Sequence, residues 1–287
     1  MSETKGPEKV ASAEQIGLSH REATATPLPP EAARLAPRDA ASWAKKVDRL
    51  QVDPREGVRG TNVAGRRLTG PVQGFGKMWQ KTYRMDVGQV PPEQAIATWR
   101  EHFPEFWPKG NRFAGALTGI NPGDVALLDL AIGGGVKLST GVFVLYADAE
   151  SFTLMTPQGH MFAGWITFSA ERSGNATTVQ AQVLMRANDP LYEVSMVVAG
   201  HRKEDKFWSA TLTALGQRLG IAEPKVETTS TCVDSKRQWR HARNVWHNSM
   251  VRSVLQTLTF RQGSASSVGD DPPAPPPERR VKTQPRG

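Results

Sequence analysis

Apolar and polar positions alternate from Lys77 onward. Trp79, Tyr83, Met85 and Val87 fall on one side and Gln80, Thr82, Arg84 and Asp86 on the other, which predicts a strand with one wet face. Pro91-Pro92-Glu93 then predicts a helix start, because proline suits the first turn and an acidic side chain suits the positive helix end. Ile96, Trp99 and Phe103 mark its buried side, and Pro104 and Pro108 end it. Six further strands are predicted over Arg112 to Leu117, Asp124 to Ala131, Lys137 to Ala147, Ser151 to Thr156, Met161 to Glu171 and Thr177 to Arg186. Their separators carry turn chemistry, including Asn121-Pro122-Gly123, Gly133-Gly134-Gly135, Gln158-Gly159-His160 and Ser173-Gly174-Asn175. Connections this short make antiparallel hairpins, since a parallel crossover needs a dozen residues or more. Asp189-Pro190 opens and Gly220 closes a long helix with an apolar stripe through Val194, Val198, Trp208, Leu212, Leu215 and Leu219. His201 and Asp205 share the phase of that stripe, and Gly200 is expected to weaken or kink the helix.

Outside this patterned stretch the composition changes. Residues 1–66 are rich in Ala, Pro, Glu, Arg and Thr and poor in bulky apolar side chains, so most of them are expected to be disordered, with a marginal helix over Pro30 to Leu50. Residues 67–222 are expected to form the folded domain. Residues 223–262 read as a linker and a basic helix over Asp234 to Phe260, and residues 263–287 as a Pro-rich tail in extended form.

Periodicity alone supports an α+β domain with helices on one face of an antiparallel sheet. The order strand, helix, antiparallel strands, long helix is that of a helix-grip fold, in which a curved sheet wraps a long C-terminal helix. The run Met155-Thr156-Pro157-Gln158-Gly159-His160-Met161-Phe162-Ala163-Gly164-Trp165 and the stretch Arg186 to Tyr192 resemble the START-like or Bet v 1-like (SRPBCC) superfamily. They are similar to a branch of it, of unassigned function, found in actinobacteria and plants. The resemblance covers about Thr69 to Ala222. It implies the helix-grip fold and a choice of activities: binding lipids or other apolar molecules, or catalysing cyclisation and dehydration. Fold by itself does not choose among them.

Charge narrows the partners. The net charge is +8, but Lys and Arg balance Asp and Glu over residues 67–233, and the largest excess, five, lies in residues 234–261. A neutral core is not built to grip a polyanion, so nucleic acid is an unlikely partner and any anionic surface must be met by the C-terminal segment. Cys232 is the single cysteine, which excludes an intrachain disulfide and a multi-cysteine metal site. A reducing, cytoplasmic setting is expected, since the first residues lack a signal-peptide layout and no apolar run is long enough to span a membrane. No cofactor and no metal is expected: Gly74-Phe75-Gly76-Lys77 lacks the remaining positions of a phosphate loop, and the six histidines are dispersed.

His201 and Asp205 are the weak catalytic candidates, because four residues on a helix place them on one face, where an Asp could orient an imidazole for acid–base work. The charge run His201 to Lys206 is equally the composition of a solvated face. His160 is a candidate ligand contact, or only a turn residue beside Gly159. Trp99, Trp165 and Trp208 are candidate walls of an apolar cavity with Tyr83 and Tyr146 as polar handles, and the same aromatics would fill a solid core equally well. The leading expectation is a protein that binds a small apolar or amphipathic molecule between sheet and helix. The alternatives are an enzyme of the same fold, with His201 moving a proton, and a membrane-surface or nucleic-acid adaptor using the basic helix. Docking of Asp234 to Phe260 on the domain or on a partner subunit, including a homo-oligomer, is preferred over a membrane role because its apolar and charged positions are poorly segregated.

Overall fold

A computed structural model describes residues 40–52, 60–115, 119–133 and 136–255. Ser42–Gly287 forms one compact unit, and of Met1–Ala41 only residues 40 and 41 are described, in the 3-10 turn Ala40–Ser42. The proposed triple-glycine turn and the Pro-rich tail lie outside the described residues in whole or part, as does the start of the expected helix over Pro30 to Leu50. Residues 43–50 of that helix are not helical: Trp43 forms an isolated bridge with Tyr146 and packs edge-on against its ring at 4.7 Å.

The strands are β1 (Met78–Asp86), β2 (Arg112–Ala114), β3 (Val125–Gly133), β4 (Val136–Ala147), β5 (Ser151–Met155), β6 (Phe162–Ser173), β7 (Ala176–Ala187) and β8 (Glu227–Asp234). They make one antiparallel sheet in the order β2-β3-β4-β5-β6-β7-β1-β8. The meander β2 to β7 follows from the hairpin turns, and β1 closes on β7 with Met78 opposite Arg186 and Asp86 opposite Thr178. β8 falls in the stretch expected to be linker; its Thr- and Ser-rich sequence is exposed throughout except at Asp234, so no burial pattern announces it. It forms because β1 leaves an open edge whose N–H and C=O groups need partners.

Helix α1 (Pro92–Glu101) follows β1, with Ala95, Ile96 and Trp99 buried. The long C-terminal helix is built as α2 (Pro190–Ser195), a π segment (Met196–Gly200) and α3 (His201–Arg218). Asp189 caps it by accepting from the N–H of Leu191 at 2.9 Å and of Tyr192 at 3.1 Å, and Gly220, at φ +86°, ends it. The wide turn breaks the helical phase, so the buried positions N-terminal to it shift away from the expected stripe. Tyr192, Glu193 and Met196 are consequently buried, whereas Val194 and Val198 of the expected stripe are 65% and 77% exposed.

One face of the sheet, with the helices, holds the main core, including Tyr83, Trp99, Phe103, Phe152, Phe168, Leu212 and Leu215. The opposite face of β3 and β4 presents Leu127 and Phe143, which pack with Leu50 and Val63. Residues 43–52 and 60–66, expected in an unpacked tail, thus cover apolar side chains of the sheet; a central strand buried on both faces requires such a cover. The expected helix over Asp234 to Phe260 is found in shorter pieces: Asp234 ends β8, Trp239–His247 is 3-10, and residues 249–255 are helical. Hydrogen bonds to the body fix these pieces. Asn244 Nδ2 donates to Asn188 O at 2.9 Å, Asn248 Nδ2 to Asp189 Oδ2 at 2.8 Å and Arg237 Nε to Glu193 Oε1 at 2.9 Å.

Candidate functional site

Between the sheet and the α2–α3 helix lies a cavity of about 780 Å³. Its walls come from alternate positions of β3, β4, β5 and β7, such as Leu128, Leu130, Val142, Leu154, Val183 and Met185, because successive strand residues point to opposite faces. Met196, Phe207 and Trp208 line it from the helix, Trp107 and Met250 add to its wall, and the exposed Val198, Lys203 and Lys206 stand where it opens to solvent. The volume falls in the range of small-molecule sites.

Of the residues singled out in the sequence, His160, Trp165 and Trp208 line this cavity. Trp208 packs edge-on to Phe168 at 5.4 Å and to Phe207 at 4.8 Å. Trp165 is a marginal member. It pairs with Met155, and alternation sets its indole on the face opposite Gly164 and Ile166, where its ring approaches Gly70. Trp99 does not reach the cavity: it is 0% exposed and wedged against Phe168 at 5.0 Å, so it fills the core. Tyr146 is also away from the cavity, its hydroxyl donating to Asp148 Oδ2 and its ring against Trp43.

His160 is buried beside Gly159, whose φ is +93°. The N–H of Phe162 lies 3.0 Å and its carbonyl oxygen 3.3 Å from His160 Nδ1, so the backbone of Phe162 can meet either tautomer of the ring. Burial outweighs the backbone contact to Phe162 and holds this imidazole down at about 4, so it is uncharged near neutrality. Gly159 O accepts from Ser249 N at 3.0 Å, which ties the hairpin to the C-terminal segment.

The expected pairing of His201 with Asp205 does not form. Asp205 Oδ1 accepts instead from Lys81 Nζ and from the Tyr83 hydroxyl, each at 2.8 Å. His201 lies edge-on to Trp79 at 4.8 Å, with Nδ1 buried and lacking a hydrogen-bond partner among the described residues. Burial first, and then Lys81, lower its pKa. Both residues share a helix face, as their spacing requires, but β1 presents a lysine to that face, and a cation outcompetes a neutral imidazole for a carboxylate.

Sequence reasoning missed Lys81 and Glu204. Lys81 occupies the inward phase of β1, between Trp79 and Tyr83, and its side chain is 1% exposed. The strict alternation of β1 was the signal that could have revealed it. Its Nζ lies 3.0 Å from Glu204 Oε2, an ion-pair contact not aligned as a hydrogen bond. Glu204 is 7% exposed and lines the cavity, and Oε1 has no hydrogen-bond partner among the described residues. Burial raises its pKa to about 7, against the pull of Lys81. The Tyr83 hydroxyl is pushed far above its ordinary value by burial and by the carboxyls of Glu204 and Asp205. Glu204 was hidden in the run His201 to Lys206, which reads as solvated because charges crowd it and Arg202, Lys203 and Lys206 are indeed exposed. Among the described residues no group of three His, Cys, Asp or Glu side chains stands close enough to hold a metal, and no helix is long and apolar enough to cross a membrane.

No protein-family model matches the chain, and no curated protein matches it. Several solved structures do. A START superfamily protein from Mycobacterium smegmatis is 23% identical over 52% of this chain and 100% of its own, at a TM-score of 0.35. Ara h 8.0201 is 12% identical over 50% of this chain and 97% of its own, at 0.36. The di-domain ARO/CYC StfQ from the steffimycin biosynthetic pathway is 10% identical over 50% of this chain and 53% of its own, at 0.39. Scores of this size carry no argument about what the chain does. Its own strand order, with the C-terminal helix laid across the sheet over a cavity, makes it an α+β protein of the helix-grip fold.

Proposed function

We propose that the protein binds a small apolar or amphipathic molecule in the cavity between the sheet and the α2–α3 helix. The observation that carries this reading is the cavity itself: about 780 Å³ walled by aliphatic and aromatic side chains inside an otherwise packed core. Interiors are close-packed, and an apolar pocket of this size leaves side chains against water that a ligand would cover. His160 and Glu204 are polar groups on its wall, the kind of sparse polar lining that sets orientation and specificity. A reducing compartment such as the cytoplasm suits the single exposed Cys232.

Catalysis by a His201–Asp205 pair is less well supported, because Asp205 is engaged by Lys81 and Tyr83. An adaptor working through a continuous basic helix is also less well supported. The segment is broken into short pieces, and Arg237 is engaged with the buried Glu193. Native mass spectrometry of the protein purified from its own host, followed by extraction and identification of released molecules, tests the binding reading. A stoichiometric apolar adduct is expected. Absence of an adduct, together with failure to take up any apolar fluorophore, would overturn it.

A further inference from the structure

We infer that the cavity selects, among apolar molecules, one that carries a neutral oxygen acceptor such as a ketone or ester carbonyl, and that Glu204 holds this oxygen by donating a hydrogen bond from a protonated carboxyl. The inference rests on the cavity reading above and names the chemistry of its ligand.

Glu204 sits in the first turn of α3, more than nine-tenths buried, on the cavity wall, with Oε1 unpartnered among the described residues. A buried polar atom without a partner is costly, and a ligand that supplies one recovers that cost. The charges around it decide which partner. One ammonium, Lys81 from β1, faces two carboxyls: Glu204 Oε2 at 3.0 Å and Asp205 Oδ1 at 2.8 Å. Asp205 also takes the Tyr83 hydroxyl and keeps water contact, its side chain being 37% exposed, so it is the carboxyl that Lys81 compensates. A second, uncompensated charge on a side chain 5% exposed is not sustained, and Glu204 holds a proton instead.

Among the described residues that face this cluster, the remaining titratable groups are His201, Tyr83, Lys203 and Lys206. His201, on the same helix, is held below its ordinary value by burial and by Lys81 and adds no cation near neutrality. The Tyr83 hydroxyl on β1 keeps its proton. Lys203 and Lys206 line the cavity but are exposed to water, which screens them. The pKa of about 7 agrees with the geometry. A protonated carboxyl offers one O–H donor. A hydrocarbon leaves that donor unmet, a carbonyl oxygen meets it, and an amine would instead favour the ionised form and reverse the pH dependence.

The test uses the full chain and two fluorescent probes: the naphthalene ketone prodan and its analogue with the carbonyl reduced to methylene. Both are titrated at about pH 5.5 and about pH 8.5, on either side of the carboxyl's transition. The ketone is expected to bind about tenfold more tightly than the methylene analogue at the lower pH, the worth of one hydrogen bond, with the preference lost at the higher pH. Glu204→Gln, whose amide still donates, retains the preference at both values. Glu204→Leu loses it at both while still binding the analogue. Equal binding of both probes by the unaltered protein, a preference that grows with pH, or a preference that survives in Glu204→Leu would overturn the role of Glu204 and leave the cavity reading standing. Failure to bind either probe would overturn both. Should Glu204→Leu fail to fold, the pH series and Glu204→Gln still decide.

Discussion

The ammonium of Lys81 lies 3.0 Å from Glu204 Oε2, with the two side chains only 1% and 5% exposed. A strand lysine and a helix glutamate, far apart in sequence, thus meet between the sheet and the cavity. Their partners, Asp205 and Tyr83, join them to the edge of the solvent. The relationship governs both the stability of the helix–sheet contact and the polarity of the cavity wall.

Removing the cation should be severe. Lys81→Met leaves the Asp205 carboxylate without the cation that compensates it, and unfolding in urea near neutral pH is expected to show a loss of about 2 kcal/mol, less than for a fully buried pair because Asp205 keeps water contact. Adding Asp205→Asn to Lys81→Met should recover part of that loss. Additive losses in the double variant would contradict the pairing.

Glu204 and His160 should give stability opposite slopes with pH. The folded carboxyl titrates at about 7 against 4.5 unfolded, so the folded state binds more protons between those values, and stability falls as pH rises from 4.5 to 7. The folded imidazole titrates at about 4 against 6.5 unfolded, so the folded state binds fewer protons in that window, and stability falls as pH drops from 6.5 to 4. Urea titrations across this range should show the first slope vanish in Glu204→Gln and the second in His160→Gln.

Two tryptophans of the same helix–sheet layer should behave differently. Trp99 fills the core, and Trp99→Ala is expected to cost about 4 kcal/mol with no selective effect on probe affinity in whatever fraction remains folded. Trp208 is half-buried on the cavity wall, so Trp208→Ala should weaken probe binding well before it approaches that stability cost. Thermal unfolding and probe titration, measured together, separate the two.

Gly159 holds a position that other residues cannot. Its φ is +93°, and a Cβ there would stand 2.1 Å from His247 O. Gly159→Ala should therefore cost roughly 2 kcal/mol or more. It should also release the C-terminal segment locally, read as faster hydrogen exchange at the Ser249 amide, which donates to Gly159 O.

Much of the fold is legible in the sequence. The alternation of β1, the turn residues between β2 and β7, the cap at Asp189 and the stop at Gly220 are local signals, written within a few residues of the element they specify. They were enough for an antiparallel sheet with a long C-terminal helix. β8 was not legible because it has no buried face; it is defined by the open edge of β1 rather than by its own pattern. The cover of residues 43–52 and 60–66 was equally invisible, since its few apolar side chains gain meaning only opposite Leu127 and Phe143.

The site divides in the same way. The sequence by itself determined that His201 and Asp205 share a helix face, that Gly159 permits a tight turn at His160, and that aromatic side chains are plentiful enough for a core or a cavity wall. Only the tertiary structure decided that Trp99 fills while Trp208 lines, that Asp205 answers Lys81 rather than His201, and that Glu204 is the carboxyl withdrawn from water. Periodicity reports which side of an element a residue occupies. What that side meets, and how much solvent remains there, depends on elements distant in the chain, and it is burial beside a particular charge that turns an ordinary glutamate into a proton-holding group.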